Sequence, residues 1–166
     1  MIVEISSLQN PGVKQVVKLR KQSERRKCGQ TLIEGYREIQ RALENGWHID
    51  SIYYCRELFL GENEDALIDA CEENGADVFE CTKAVFSKMS YRDRPDGLLS
   101  VAPLVNRGLD ELELSDNPFI LVAEHLEKPG NLGTILRSAD AAGAEAVIIC
   151  DKCTDINNPN VVRASI

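Results

Sequence analysis

Apolar residues along this chain fall into short blocks, and the polar stretches between them repeat at helical period. Strand-like blocks occur at Thr31-Leu32-Ile33, Ser51-Ile52-Tyr53-Tyr54-Cys55, Asp77-Val78-Phe79-Glu80-Cys81 and Leu98 to Ala102. The intervening stretches predict helices. One runs from about Gly35 to Glu44 and is closed by Asn45-Gly46; another runs from Glu62 to Glu73 and stops near Asn74-Gly75; a short third passes through Val85 and Met89, with Thr82 as its cap. Nearer the start, Asn10-Pro11 reads as an N-cap followed by proline at the first helical position, and Val13, Val16 and Val17 give that helix an apolar side. The alternation predicts a compact α/β/α sandwich of roughly 100 residues, a normal domain size.

A second block begins at Phe119 and reads FILVAEHLEKPGNLGTILRSADAAGAEAVII through Ile149. An apolar strand passes through a polar loop into a helix and returns to a second apolar strand, which makes a βαβ unit. Asn131 reads as the cap of this helix, Leu132, Ile135, Leu136, Ala139 and Ala142 share one face, and Gly143 supplies the left-handed residue that ends it. At about 100° per residue, Arg137 points away from that apolar face. Spacing alone leaves open whether Arg137 is a solvated surface group or a functional one. Pro103 to Pro118 carries Asn106, Gly108, Ser115, Asp116 and Asn117 among few large apolar residues and reads as a linker. The expected domains are therefore 1–104 and 118–166, joined by 105–117.

The net charge is −8, with 27 acidic residues against 19 Lys and Arg, which by itself argues against a nucleic-acid partner. The distribution reverses that inference. Up to Gln30 the basic residues are Lys14, Lys18, Arg20, Lys21, Arg25, Arg26 and Lys27, opposed only by Glu4 and Glu24, whereas Glu57 to Glu80 is acidic without compensation. If the first helix persists, Lys14, Lys18, Lys21 and Arg25 form one cationic stripe without interleaved acids, as a surface tracking phosphates requires.

No apolar run approaches the ~18 residues of a membrane span, and Met1-Ile2-Val3-Glu4 shows no secretory signal. Six scattered cysteines in a chain large enough for a core read as reduced cytoplasmic thiols rather than disulfides. Cys150-Asp151-Lys152-Cys153 has C-x-x-C spacing but no second pair, so no metal is expected. His48 and His125 lack a helical ligand pattern, and His125 reads as an exposed loop histidine. Gly130-Asn131-Leu132-Gly133 is not a G-x-G-x-x-G fingerprint, which disfavours a nicotinamide enzyme.

The order Glu124, Pro129-Gly130-Asn131-Leu132-Gly133, Arg137, Gly143 and then Asn158-Pro159-Asn160-Val161-Val162-Arg163-Ala164-Ser165 resembles the first signature motif of the SpoU (TrmH-like) RNA ribose 2′-O-methyltransferases of the SPOUT superfamily. The first half adds Ser7-Leu8-Gln9-Asn10-Pro11 with Val13-Lys14, the Arg25-Arg26 pair, Ile33-Glu34-Gly35 with Arg37-Glu38, and Asp96-Gly97-Leu98-Leu99-Ser100-Val101. These are similar to the family's substrate-binding domain, which has the fold of ribosomal proteins L30e and L7Ae.

The resemblance implies an L30e/L7Ae-like RNA-binding domain followed by the start of an α/β knotted methyltransferase domain. It further implies S-adenosylmethionine as cofactor, rRNA or tRNA as substrate, and a homodimer for the complete protein. Ribose methylation requires holding the RNA backbone, easing removal of the 2′-hydroxyl proton and aligning that oxygen with the methyl donor. Arg137 would be the catalytic arginine, since a guanidinium forks onto phosphate, though it is a poor base. Asn131 would organise the loop, Glu124 would orient Arg137, and Arg163 and Ser165 would shape the substrate side. Lys14, Lys18, Lys21, Arg25, Arg26 and Arg37 are the expected RNA contacts; for Arg37 a structural pair with Glu34 is the alternative. Two further family motifs that build the cofactor pocket do not occur before Ile166, so the expectation is a truncated polypeptide that does not turn over alone, with cofactor-binding residues unknown. A non-catalytic RNA-binding module of L30e/L7Ae type is the competing reading.

Overall fold

The computed structural model describes residues 3–151 and 153–166. Met1, Ile2 and Lys152, cited in the signal-peptide and C-x-x-C readings, lie outside the described residues. The chain divides into two compact units, Met1–Leu104 and Val105–Ile166.

The first unit is built on a five-stranded mixed sheet. Its strands are β1 (Val3–Ile5), β2 (Gln30–Glu34), β3 (Ser51–Tyr54), β4 (Asp77–Cys81) and β5 (Leu98–Pro103), in the spatial order β1-β4-β3-β5-β2. β4 runs parallel to both β1 and β3, while β5 is antiparallel to β3 and β2. Its helices are α1 (Pro11–Lys18), α2 (Gln22–Cys28), α3 (Tyr36–Glu44), α4 (Glu64–Glu73) and α5 (Lys83–Met89). Period-2 alternation sends Tyr53 to one face of the sheet and Ile52 and Tyr54 to the other. Val13, Val16 and Leu19 join Val85, Phe86 and Met89 over Leu32, Tyr53, Leu99 and Val101, so α1 and α5 cover the first face. α3 and α4 pack together over the opposite face, with Ile39, Leu67, Ile68 and Cys71 buried. The expected α/β/α sandwich is therefore present, with β1 as a strand that the apolar pattern did not announce. Each fully buried side chain such as Phe86 contributes roughly 1.5–3 kcal/mol.

Local signals explain most boundaries. Asn10 Oδ1 accepts from Gly12 N at 2.8 Å and Val13 N at 3.4 Å, and Pro11 opens α1, as the sequence predicts. Asn45 and Asn74 cap the ends of α3 and α4. Two details differ: Thr82 sits at the N-cap of α5 but makes no side-chain capping bond, and α4 starts two residues later than expected, after Asn63.

In the second unit, β6 (Ile120–Glu124) leads into α6 (Pro129–Ala141) and then β7 (Ala146–Cys150), which pairs parallel to β6. A short α7 (Pro159–Ala164) follows. Asn157 ties the start of the unit to this segment, accepting from Val105 N at 2.8 Å and donating to Val105 O at 2.9 Å. The expected apolar face of α6 is narrower than its periodicity suggests: Leu132 and Ala139 are buried, Ile135 and Leu136 half-buried and Ala142 exposed. Gly143 has φ +73°, and Gly143 N and Ala144 N bond back to Asp140 O and Ala139 O, which closes the helix as expected.

Candidate functional site

The basic end is built differently from a single striped helix. α1 stops at Lys18 because Leu19 turns fully into the core, and Lys21 restarts the chain in extended conformation at the N-cap of α2. That break leaves carbonyls without helical partners. Arg25 supplies them: its Nη1 donates to Leu19 O at 3.0 Å and Arg20 O at 2.9 Å, and the residue is 2 % exposed. Arg25 is thus a buried staple and not an RNA contact, which corrects the sequence expectation. Arg20 stays exposed but is tied down along the surface, donating to Lys88 O and Ser90 O. Lys14, Lys18, Lys21 and Arg26 remain exposed, together with Lys27, and form the cationic surface of this unit.

At the β2–α3 turn, Glu34 and Arg37 do not pair. Glu34 is fully buried and accepts from Ser90 Oγ and from Tyr91 N, while Arg37 is exposed. Burial raises the Glu34 carboxyl above its ordinary value despite those two hydrogen bonds and the nearby Arg92 cation. The residue that serves this turn is Arg92, which sequence reasoning did not single out. Arg92 Nη2 donates to Glu34 O and Glu38 Oε1, and its Nη1 lies 3.7 Å from Asp96 Oδ2. Burial disfavours its charge, but Glu38, Tyr91 and Asp96 outweigh that and raise its pKa. Gly35, at φ +117°, leaves the space these groups need, since a Cβ there would collide with Glu38 and Arg92. Arg37, Glu38, Glu64, Arg92 and Asp96 line a cavity of about 410 Å³ with Leu60 at its edge.

In the second unit, α6 begins at Pro129 with Lys128 as N-cap, so Asn131 is inside the first turn and is not the cap. Its side chain is exposed. Proline at the first helical position moved the start two residues upstream of the asparagine. Arg137 stands on the solvent face of α6, and its Nη1 donates to Ile166 O at 3.3 Å. Six residues of helix rotate by about 600°, so Asn131 and Arg137 do not share a face. Glu124 is exposed at the end of β6 and is 3.9 Å from His125 Nδ1; among the described residues no hydrogen bond or ion pair joins it or Asn131 to Arg137. The expected orienting bond from Glu124 is therefore absent. His125 is exposed as expected, with φ +56°, and Asp151 has φ +49° at the end of β7. Glu124, His125 and Asp151 bring ligand-type atoms within 4.8 Å of one another, all at exposed side chains.

α7 completes this region. Asn158 Oδ1 accepts from Asn160 N at 2.9 Å and caps it, Pro159 opens it, and Val161 is buried. Arg163 is exposed, and Ser165, at the C-cap, donates to Val162 O at 2.8 Å. α6 and α7 approach closely at Gly133, where a Cβ would meet Ala164 and would lie 2.7 Å from Val161 O. The glycine of Asn-Leu-Gly therefore sets the contact that brings the segment from Arg163 to Ile166 beside Arg137. All six cysteines are free thiols; Cys150 and Cys153 each direct Sγ at Ala123 O. No helix among the described residues is long and apolar enough to cross a membrane.

The first unit is thus an α/β sandwich with exposed cations on α1 and α2, and the second a βαβ unit that presents an arginine beside a capped Asn-Pro helix. Residues 10–100 match the MRM3-like substrate binding domain and residues 118–166 match the SpoU rRNA Methylase family; the chain belongs to that family. An uncharacterised tRNA/rRNA methyltransferase of Synechocystis is 33% identical over 99% of this chain and 58% of its own length. The 23S rRNA (guanosine(2553)-2′-O)-methyltransferase RlmP of Bacillus subtilis is 28% identical over 98% of this chain and 60% of its own. The AdoMet-bound rRNA methyltransferase of Sinorhizobium meliloti superposes with a TM-score of 0.86 at 28% identity, over 99% of this chain and 60% of that one. The chain thus spans about 60% of the length of these relatives.

Proposed function

We propose that the complete protein transfers a methyl group from S-adenosylmethionine to a ribose 2′-hydroxyl of rRNA or tRNA, that the first unit binds the RNA, and that Arg137 serves the reaction. The observation that carries this reading is the presentation of Arg137 on the solvent face of α6, beside the α7 segment that Gly133 allows to approach. A guanidinium there can fork onto the phosphate next to the target ribose and stabilise the developing alkoxide, while the hydroxyl proton passes to solvent water at this exposed face rather than to the arginine. Arg163, exposed on α7, adds a second cation on the substrate side, and Ser165 fixes the end of that helix. Lys14, Lys18, Lys21, Arg26 and Arg37 would hold the RNA backbone.

S-adenosylmethionine supplies an electrophilic methyl group when bound. Glu124, His125 and Asp151, at the ends of β6 and β7, are exposed and do not make a sheltered cradle for an adenosine, so none of them is assigned to the cofactor. The similarity to an AdoMet-bound relative supports the cofactor for the whole protein. A homodimer for the complete protein also belongs to this proposal, and sedimentation equilibrium of that protein tests it.

The decisive experiment is Arg137→Ala in the complete protein, assayed for methyl transfer from tritiated cofactor and for RNA affinity. Methyl transfer is expected to fall to background while affinity stays within about twofold, because an exposed single cation contributes little to binding. Equal loss of both would refute a specific role in the reaction.

A further inference from the structure

The cavity between the start of α3, the Leu60–Glu64 turn and the Arg92–Asp96 segment has a polar floor with unused bonding capacity. Glu64 is only 5 % exposed, and its Oε1 accepts from Leu60 N at 3.0 Å and Gly61 N at 2.7 Å, yet its Oε2 is buried without a partner. Asp96 Oδ2 accepts from Tyr36 N at 2.9 Å while Oδ1 is buried and unpartnered, and Arg92 Nε is a buried donor without an acceptor. Buried polar atoms ordinarily find partners, and three unmatched ones around a single cavity define a ligand by its complement. That complement is two donors and one acceptor.

The rest of the lining narrows the class. Three carboxylates against two guanidiniums leave the cavity without the excess positive charge that a phosphate needs. Leu60, 81 % exposed and the most solvent-accessible large hydrophobic residue among the described residues, stands at the rim, where a flat apolar face can rest on it. A flat group with apolar faces and a hydrogen-bonding edge is a nucleobase, and its size suits a site of this volume. Of the four RNA bases only guanine presents two adjacent donors, N1–H and the N2 amine, beside an acceptor, O6. Uracil and cytosine have one donor group against two acceptors, and adenine has one against one.

We infer that this cavity captures one unpaired guanine of the RNA, with Glu64 Oε2 and Asp96 Oδ1 accepting from its N1–H and N2 amine and Arg92 Nε donating to O6. The inference rests on the proposal that the first unit binds RNA, and it assigns sequence preference to a unit whose basic surface has none. All of the lining residues belong to the first unit.

The test uses the full chain and fluorescent single-stranded oligouridines carrying one central guanosine, inosine or adenosine, with affinity read by anisotropy. Guanosine is expected to bind about tenfold more tightly than inosine, which lacks the N2 amine, and than adenosine, the factor of one hydrogen bond to a charged acceptor. Glu64→Gln keeps a carbonyl for Leu60 N and Gly61 N but turns a donor into the cavity, and it should abolish the preference. Should that variant misfold by circular dichroism, Asp96→Asn and the exposed Leu60→Ala take its place. The first should erase discrimination against inosine, and the second should weaken all three oligonucleotides by about threefold through lost stacking surface. Binding without base preference in the wild-type chain would overturn the inference while leaving the proposed function standing. Preference that survives both carboxylate changes would overturn it as well. Absence of any RNA binding would remove both readings.

Discussion

Alanine at Gly133 and alanine at Gly130 should move stability in opposite directions, although both glycines lie in the same helix. In an α-helix alanine is favoured over glycine by about 1 kcal/mol, and nothing lies within 4 Å of a Cβ added at Gly130. Gly130→Ala should therefore stabilise the second unit by about 0.5–1 kcal/mol, toward the low end because the site is in the first turn. At Gly133 the added carbon collides with the Ala164 side chain and lies 2.7 Å from Val161 O and 2.9 Å from Ala164 C. Two of these three neighbours are backbone atoms, so α7 must move as a body. Overpacking of this kind costs about 1–3 kcal/mol, and backbone atoms that cannot yield put this site at the upper end, which leaves a net loss of up to about 2 kcal/mol after the propensity gain of about 1 kcal/mol. Because the chain has two units, a single melting temperature would mix them. Hydrogen exchange on peptides covering Pro129–Ala141 and Pro159–Ala164 reads the contact directly. Protection should fall in both segments for Gly133→Ala, rise slightly for Gly130→Ala, and return in part when Ala164→Gly is added to Gly133→Ala. Wild-type protection of α7 in Gly133→Ala would refute the close-approach account of the Asn-Leu-Gly glycine.

Two further outcomes follow from buried groups in the first unit. Arg25→Met should destabilise by about 1–3 kcal/mol, since it strands the Leu19 and Arg20 carbonyls, whereas Lys18→Gln should stay within about 0.5 kcal/mol in urea unfolding and instead lower RNA affinity and its salt dependence. Burial pushes the Cys71 thiol up to about 11 and that of Cys81 up to about 12 from 9.0. Unfolded thiols lose their protons near pH 9 while the native ones keep them, so the native state binds more protons above that pH and stability must fall as pH rises from 9 toward 11–12. Urea midpoints taken from pH 8 to 10.5 should decline, with a shallower slope in Cys71→Ala and Cys81→Ala; a slope unchanged by both replacements would contradict this assignment.

Period and punctuation made most of the fold legible. β2, β3, β4 and β5 lie where the apolar blocks place them, and Asn10-Pro11, Asn45-Gly46 and Gly143 mark helix ends as written. β1 escaped notice because three residues are too few for a period. Its partner β4 is remote in sequence, and pairing across that distance is not a local property. The basic stripe failed for a related reason: Leu19 is claimed by the core, and the turn it forces converts Arg25 from a surface cation into an internal staple. Asn131 lost the cap to Lys128 because Pro129 is compatible with an earlier start. Arg92 and Glu64 could not be read as site residues at all. Their role depends on which segments the sheet brings together, and their sequence neighbourhoods are ordinary charged turns. The placement of Arg137 on the solvent face of α6, by contrast, needed only helical geometry.

The strand order also sets a timetable for synthesis. β2 is made early, but its ladder partner is β5, with Gln30 opposite Pro103, and β1 waits for Phe79 on β4. At translation speeds of about 5–20 residues per second, the interval between β2 and β5 is several seconds to more than ten. During that time Leu32 and Ile33 emerge from the ribosome with no strand to pair with. The β6-α6-β7 unit, whose strands pair across a single helix, closes almost as soon as it appears. The nascent chain therefore carries its aggregation hazard in the first unit, and that hazard ends only when Pro103 clears the exit tunnel.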